Sequence, residues 1–381
     1  MKIIFTVATY YPRMDGVQMV TQYQAEGLAK KGHEVVVITS CYDGLEKTEV
    51  HNGVQIVRVD AFNYYYWHKG NKKEYRDTVL TYTKDADALI AVCLQSFSAD
   101  WLLGILDQIS CPKILYLHGM PDFKVHTSDF RSMLNVAKVI FRNARWGFFY
   151  KTNFKRICKF DAVTHLFVND NSYTYFEKHG YKHNYVLQNA CSESFFENEV
   201  PVSPQTKRFI YVGNYCARKN QALAMRAFYE TQMDSAELIL IGSQKNAYCE
   251  KLFELRSQLE QEYGKKKVEI LSNLPREEIV AKTQSAYACI MSSNYEYYPL
   301  TIIEAMASGK PFISTDVGIV RYLPGGVIAN NKKDLKYWME TFYKNPDMVT
   351  ELGKIGQSYA EQNMRTGQKV EELQKIIEEI R

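Results

Sequence analysis

The stretch from Ser292 to Thr315, SSNYEYYPLTIIEAMASGKPFIST, sets Glu296 and Glu304 on either side of a proline. An apolar run ending at Met291 reads as a strand, Glu296 falls in the loop after it, and Pro299 opens a helix where a missing N–H costs nothing. The unpaired N–H groups of Leu300, Thr301 and Ile302 then form an anion site at the helix N-terminus. Glu304 comes about one turn in, on the side of the same mouth, and Gly309 ends the helix before the next strand. A phosphate on amides with two carboxylates nearby suits a nucleotide-sugar, its phosphate on the N–H groups and its hydroxyls on the carboxylates.

A second constellation, Tyr211 to Asn220, reads as a strand, a glycine turn at Gly213 and a basic pair, Arg218 and Lys219, at the start of a helix. Cations there are disfavoured by the helix dipole unless something anionic faces them. Facing a phosphate site they would neutralise a departing diphosphate, and stabilising such developing charge is usually the largest catalytic contribution. Lys219 leads for that role, with Arg218 beside it. In the first half, Gly16 lies between a strand and a helix, where it either lets the backbone approach a ligand or serves as a simple turn glycine. His118 ends the run Ile114 to Leu117, at the carboxyl edge of a parallel sheet, where doubly wound folds bind ligands. Asp85-Ala86-Asp87 precedes a strand instead of ending one, so no metal ligand is expected. Neither Gly16, Gly213 nor Gly242 belongs to a G-x-G-x-x-G run, which argues against a dinucleotide oxidoreductase.

The elements that must hold these residues follow from the hydrophobic pattern. Short β-branched runs at Ile3–Val7, Glu34–Thr39, Gln55–Val59, Ala88–Val92 and Lys113–Leu117 alternate with amphipathic stretches such as Val17–Lys31. The rhythm restarts with strands at Phe209–Val212, Glu237–Ile241, Val268–Leu271 and Ala288–Met291, and helices near Asn220–Tyr229 and Tyr248–Gln261. Strands alternating with helices imply parallel sheets covered on both faces. Between the halves, the acidic, polar run from Cys191 to Pro204 carries two prolines and reads as a linker, which places domains at 1–195 and 196–365. Apolar Val370, Leu373, Ile376, Ile377 and Ile380 mark an amphipathic closing helix over 366–381 that packs back onto the first domain.

The chain has 381 residues, 46% hydrophobic and 24% charged, enough for two cores and too apolar for a disordered chain. Its longest run without a charge, Thr283 to Tyr295, has 13 residues, short of the roughly 20 a membrane-spanning helix needs. The start, MKIIFTVA, reads as a buried strand in preference to a secretory signal, so a cytoplasmic protein is expected. Eight cysteines stand singly with no C-x-x-C pair, against both a disulfide framework and a zinc site.

Glu296 to Glu304, followed by Ala305-Met306-Ala307-Ser308-Gly309-Lys310-Pro311, closely resembles the E-x7-E signature of retaining glycosyltransferases of the GT-B fold, in particular the large family-four group. The resemblance covers nearly the whole chain. It implies an α/β protein with two Rossmann-like, doubly wound parallel-sheet domains facing a cleft, the first for acceptor and the second for nucleotide-sugar. It further implies that Glu304 holds the ribose hydroxyls, that Glu296 contacts the donor sugar, and that His118 lies near that sugar. Several positions depart from the pattern. Tyr297 and Pro299 stand where glycines often flank the first glutamate, and Asn214 stands where an arginine is frequent, with Arg218-Lys219 supplying the cations. Asp15-Gly16 keeps only the second glycine of a pair that meets the donor phosphates in similar enzymes. Tyr185 to Ala190 resembles the asparagine-containing turn before the interdomain linker, and Asn189 is read as hinge architecture.

With what the resemblance implies, stereochemical retention above all, the expectation is a metal-independent retaining hexosyltransferase that uses a UDP- or GDP-linked donor as substrate, with no separate cofactor. The expected acceptor is a glycan or a lipid-linked sugar, in cell-surface polysaccharide or glycolipid synthesis. The alternatives are a nucleotide-sugar epimerase or a non-catalytic sugar-nucleotide-binding relative. One segment concerns partners: between Arg131 and Phe160 there are eight basic residues, seven aromatic ones and no carboxylate. This suits peripheral docking on an anionic membrane at the inner face of the cell membrane. The alternative is a pair of core helices with a solvated basic face, and nothing beside the charge points to nucleic acid. Asn63-Tyr64-Tyr65-Tyr66-Trp67-His68 is a second aromatic cluster, expected in a loop, for sugar stacking or interface contact.

Overall fold

A computed structural model describes residues 1–13, 16–125, 130, 132–197 and 207–381. Asp15, Arg131 and the linker from Asn198 to Pro204 lie outside the described residues. The chain forms two compact units: Met1–Asn189 with Thr366–Arg381, and Ala190–Arg365. The change of unit thus falls slightly before residue 195. Cys191 explains why: it pairs with Arg365, and its N–H donates to Met364 O at 2.8 Å, which ties this segment to the second unit.

The first unit contains β1 (Lys2–Thr6), α1 (Gly16–Lys30), β2 (Glu34–Ser40), β3 (Thr48–His51), β4 (Val54–Val59), β5 (Ala61–Tyr64), β6 (Trp67–Gly70), α2 (Lys72–Thr83) and β7 (Ala88–Val92). It continues with α3 (Phe97–Asp100), β8 (Lys113–Tyr116), α4 (Met133–Ile157), β9 (Ala162–His165), α5 (Asn171–Lys178) and β10 (Asn184–Val186). Its main sheet has the order β10-β9-β8-β7-β1-β2-β4-β3, parallel except where β3 pairs antiparallel with β4. Successive residues point to opposite faces of a strand. Ile3 and Phe5 therefore join one core with Val35, Val37 and Leu28, while Ile4 joins the other with Val36, Tyr75 and Phe97. A sheet covered on both faces is what continuous apolar strands require.

Two expectations change here. The cluster from Asn63 to His68 is the end of an antiparallel hairpin and not a loop: Asn63 pairs with His68 and Tyr64 with Trp67, which leaves Tyr65 and Tyr66 as the turn between β5 and β6. The basic, aromatic segment forms one long helix over Met133–Ile157 and not a helix pair. Ser132 caps it by accepting from Asn135 N at 3.1 Å, and Val139, Asn143, Trp146, Tyr150 and Ile157 form its buried stripe. No helix among the described residues is long and apolar enough to cross a membrane.

The second unit holds β11 (Lys207–Val212), α6 (Gln221–Tyr229), β12 (Ala236–Gly242), α7 (Ala247–Tyr263), β13 (Lys267–Ser272), α8 (Arg276–Gln284) and β14 (Ala288–Met291). Then come α9 (Leu300–Ala307), β15 (Phe312–Ser314), β16 (Gly326–Ile328), α10 (Lys332–Lys344) and α11 (Pro346–Asn363). Its parallel sheet runs β13-β12-β11-β14-β15-β16, so strand order reverses between β11 and β14. Loops leaving the carboxyl ends of two such strands diverge and open a crevice for ligands. The last helix, α12 (Thr366–Ile380), returns to the first unit and buries Val370, Leu373, Ile376 and Ile377. Gly27 of α1 permits that close approach: an added Cβ would lie 2.4 Å from Val370 Cγ2.

Candidate active site

The loops after β11 and β14 are stitched together by backbone groups and neutral side chains. Asn294 N–H donates to Arg218 O at 2.8 Å, Asn294 Nδ2 to Ala217 O at 3.0 Å, and Ser292 Oγ to Asn220 O at 2.8 Å. The Tyr211 hydroxyl, near the end of β11, donates to Lys219 O and lies 3.2 Å from Ser293 Oγ. Asn220, at φ 51°, turns the chain into α6. A third loop leans in after β15: Gly318 has φ +55°, Ile319 N–H donates to Tyr297 O at 3.0 Å, and a Cβ on Gly318 would sit 2.0 Å from that oxygen. Backbone stands against backbone there, so only glycine fits.

This frame brings Arg218, Lys219 and Glu296 together. Lys219 Nζ lies 2.8 Å from Glu296 Oε1, and Arg218 Nη1 lies 3.0 Å from Oε2 and 3.1 Å from Tyr295 O. Glu296 is buried, the Lys219 side chain is 12% exposed and that of Arg218 is 52% exposed. The lysine acts in a poorly screened environment, whereas much of the arginine's field is screened by water.

The helix α9 begins one residue later than the sequence suggests. Pro299 is its N-cap, and Ile302 N–H donates back to Pro299 O at 3.2 Å, which takes that group out of the expected anion site. Leu300 and Thr301 remain, the partly exposed residues at the start of a helix whose other residues are buried. Glu304 is buried on α9, and its Oε1 lies 2.5 Å from Arg276 Nη2. Arg276 Cζ in turn stands 4.8 Å over the Phe195 ring. The helix ends at Gly309, φ +66°, where Lys310 N–H donates to Ala305 O at 2.8 Å. Burial lowers the pKa of the Lys310 ammonium to about 8.

Arg276 is the residue that sequence reasoning missed. It was visible by the same sign used for Lys219, a cation in the first turn of a helix against the dipole. What lacked a signal was its partner, since α8 and α9 meet only through the fold.

In the first unit, Gly16 is the exposed first residue of α1, and a Cβ there would meet nothing within 4 Å. Neither a tight turn nor packing requires glycine at that point. His118 follows β8, and its ring stacks on Tyr116 with centroids 4.6 Å apart. Its Nε2 is buried with no hydrogen-bond partner among the described residues, and burial lowers its pKa to about 4, so the ring is neutral near pH 7. Asp85 is held by Lys2 Nζ at 2.7 Å and Asp87 accepts from Lys2 N–H at 2.7 Å, which occupies both at the sheet's amino edge.

Comparison with known proteins matches each half to a family. Residues 14–168 match the profile described as Glycosyltransferase Family 4, and residues 193–358 that of Glycosyl transferases group 1. No curated protein matches the sequence. Among solved structures, sucrose-phosphate synthase from Thermosynechococcus elongatus superimposes with a TM-score of 0.73 at 15% identity, over 100% of this chain and 98% of that one. HepE from Anabaena, in complex with UDP-glucose, gives a TM-score of 0.70 at 14% identity over the whole of both chains. WaaG, a glycosyltransferase involved in lipopolysaccharide biosynthesis, gives 0.65 at 14% identity over 98% of this chain and 99% of that one. At such identities the likeness is one of fold, and the two profiles supply the family: the chain belongs to the group 1 glycosyltransferases of the GT-B fold.

Proposed function

We propose that this protein is a metal-independent, retaining hexosyltransferase that carries a sugar from a UDP- or GDP-linked donor to a glycan or lipid-linked acceptor. Its setting is the cytoplasmic synthesis of cell-surface polysaccharide or glycolipid. The observation that carries this reading is the convergence of Lys219 and Arg218 on Glu296, in the loop that leads to the open first turn of α9. The UDP-glucose complex of HepE and the lipopolysaccharide role of WaaG support the donor class and the setting.

In this reading the donor diphosphate sits on the N–H groups of Leu300 and Thr301, while Glu304 accepts from the ribose hydroxyls. Lys219 and Arg218 turn to the diphosphate as negative charge builds on its oxygen, and preorganised cations stabilise that charge without a metal ion. Glu296 positions the cations and accepts hydrogen bonds from the sugar. The acceptor oxygen bonds to the anomeric carbon on the face that the diphosphate leaves, and its proton passes to the departing phosphate. For His118 and Gly16 the support is the family resemblance: a neutral ring to hydrogen-bond the donor sugar, and an exposed helix start that a phosphate can approach.

The test is to incubate the protein with UDP- and GDP-sugars and candidate acceptors, following nucleotide release and the anomeric configuration of the product by NMR. Retained configuration with activity surviving chelator supports the reading. Inverted product overturns retention, loss of activity with chelator overturns metal independence, and epimerised donor without acceptor points to an epimerase.

A further inference from the structure

The helix α4 has two apolar faces, and the fold uses one. Opposite the buried stripe, Leu134, Phe141 and Phe148 recur every seventh residue and so fall on one line along the helix. They are 66%, 56% and 70% exposed, and Met133 and Ile140 widen the line. A surface helix of a globular protein normally turns polar residues to water, and a contiguous exposed apolar patch marks an interaction site.

The hairpin turn extends this patch. Arg145 Nε donates to Tyr66 O at 3.0 Å and its guanidinium stands 3.8 Å over the Trp67 ring, while Tyr66 and Phe141 have ring centroids 6.2 Å apart. Tyr65 at the tip is 85% exposed. Two aromatic segments far apart in sequence are thereby one surface. Its rim is cationic: Lys138, Lys151, Lys155 and Arg156 are exposed, no carboxylate occurs from 132 to 160, and no described carboxylate pairs with the three lysines.

We propose that the outer face of α4 and the tip of the β5–β6 hairpin form a docking surface for an anionic lipid bilayer. The helix lies in the headgroup layer with Leu134, Phe141 and Phe148 among the acyl chains, the aromatic tip beside them and the lysines on lipid phosphates. The charge pattern selects this occupant. A second copy of the same face would bring like charges together, and a nucleic acid would leave Leu134 and Phe148 against its phosphates. The surface stands on the first unit alone and does not depend on the reaction proposed above.

The test is co-sedimentation of the full chain with vesicles of phosphatidylcholine alone and of phosphatidylcholine with an equal share of phosphatidylglycerol. Binding is expected to the second kind, weakened by salt. Phe141→Ser with Phe148→Ser should lower the partition coefficient by about tenfold or more per ring removed. Lys138→Gln, Lys151→Gln and Lys155→Gln should each lower it about fivefold at low salt. All five positions are exposed, so the variants should fold, which circular dichroism checks. No binding to the anionic vesicles at low salt overturns the proposal. So does binding unchanged in the double phenylalanine variant, which would leave only a polyanion site. A concentration-dependent dimer abolished by the same variant would make the face a self-association surface and overturn it as well.

Discussion

Replacing Lys219 by alanine removes the shielded cation beside Glu296 and leaves its carboxylate to Arg218, whose side chain is half in water at 3.0 Å. Breaking a buried pair outright costs about 3–5 kcal/mol, and because one cation stays the expected loss of stability is nearer ~1–3 kcal/mol. For a unit of this size each kcal/mol lowers Tm by roughly 2–4 °C. The catalytic effect should be larger. Removing one preorganised group that meets developing charge lowers kcat by about 10²- to 10³-fold, whereas donor affinity, which the proposed function assigns mainly to amides and Glu304, should change by less than about tenfold. Steady-state kinetics with saturating donor, beside calorimetric donor binding, separates the two. A second variant isolates the cause: Lys219→Ala with Glu296→Gln removes both charges, so stability should recover in part while kcat stays low. A Lys219→Ala protein that turns over like the parent, or whose whole defect vanishes in the double variant, refutes the role of Lys219 in stabilising the leaving group.

Glu304→Ala should weaken nucleotide-sugar binding by about 10- to 100-fold, the worth of hydrogen bonds to a charged group; unchanged affinity in a folded variant would remove Glu304 from the donor site. Gly318→Ala sets a Cβ against Tyr297 O at positive φ and should cost about 2–4 kcal/mol while also lowering turnover, because the Glu296 loop must shift. Wild-type stability there would show that the three loops are not locked together. His118 has a folded pKa of about 4 against about 6.5 unfolded, so the unfolded chain binds more protons between those values and stability falls as pH drops through that window. Denaturant unfolding should show a loss of ~1–3 kcal/mol that His118→Gln flattens, and equal slopes in both proteins would contradict it.

Much of this was legible because buried parallel strands are written in plain apolar runs. Ala288–Met291 has the bounds its sequence suggests, and β11, β12 and β13 differ from theirs by a residue or two. Residues of β14 and the middle of β11 and β12 are buried on both faces, so burial selects them regardless of partner, while the edge strand β13 shows itself by alternating exposed Lys267 and Glu269 with buried Val268 and Ile270. The β5–β6 hairpin was hidden for the converse reason. Tyr64, Tyr65, Tyr66 and Trp67 are aromatic in succession with no period of two, and Tyr65 takes the positive φ of 52° that glycine or asparagine would have advertised. What holds the hairpin is distant: Arg145 on Tyr66 O, and His68 Nε2 at 2.8 Å from Asp100 Oδ2. Within the candidate site, Glu296, Glu304 and Lys219 stood out by type and spacing. Their pairing did not, because Lys219 meets Glu296, and Arg276 meets Glu304, only after β11, β14 and α8 are assembled side by side.

The most direct measurement of the donor site is a thermal-shift screen of the full chain against UDP-, GDP-, ADP- and CMP-sugars, repeated with Glu304→Ala. A ligand that binds only the folded state raises stability by about 2.7 kcal/mol at a hundred times its Kd. The expected result is stabilisation by a UDP- or GDP-sugar that is lost in the variant. Stabilisation of equal size in Glu304→Ala, or by none of the four classes, would contradict the assignment of this site to a nucleotide-sugar.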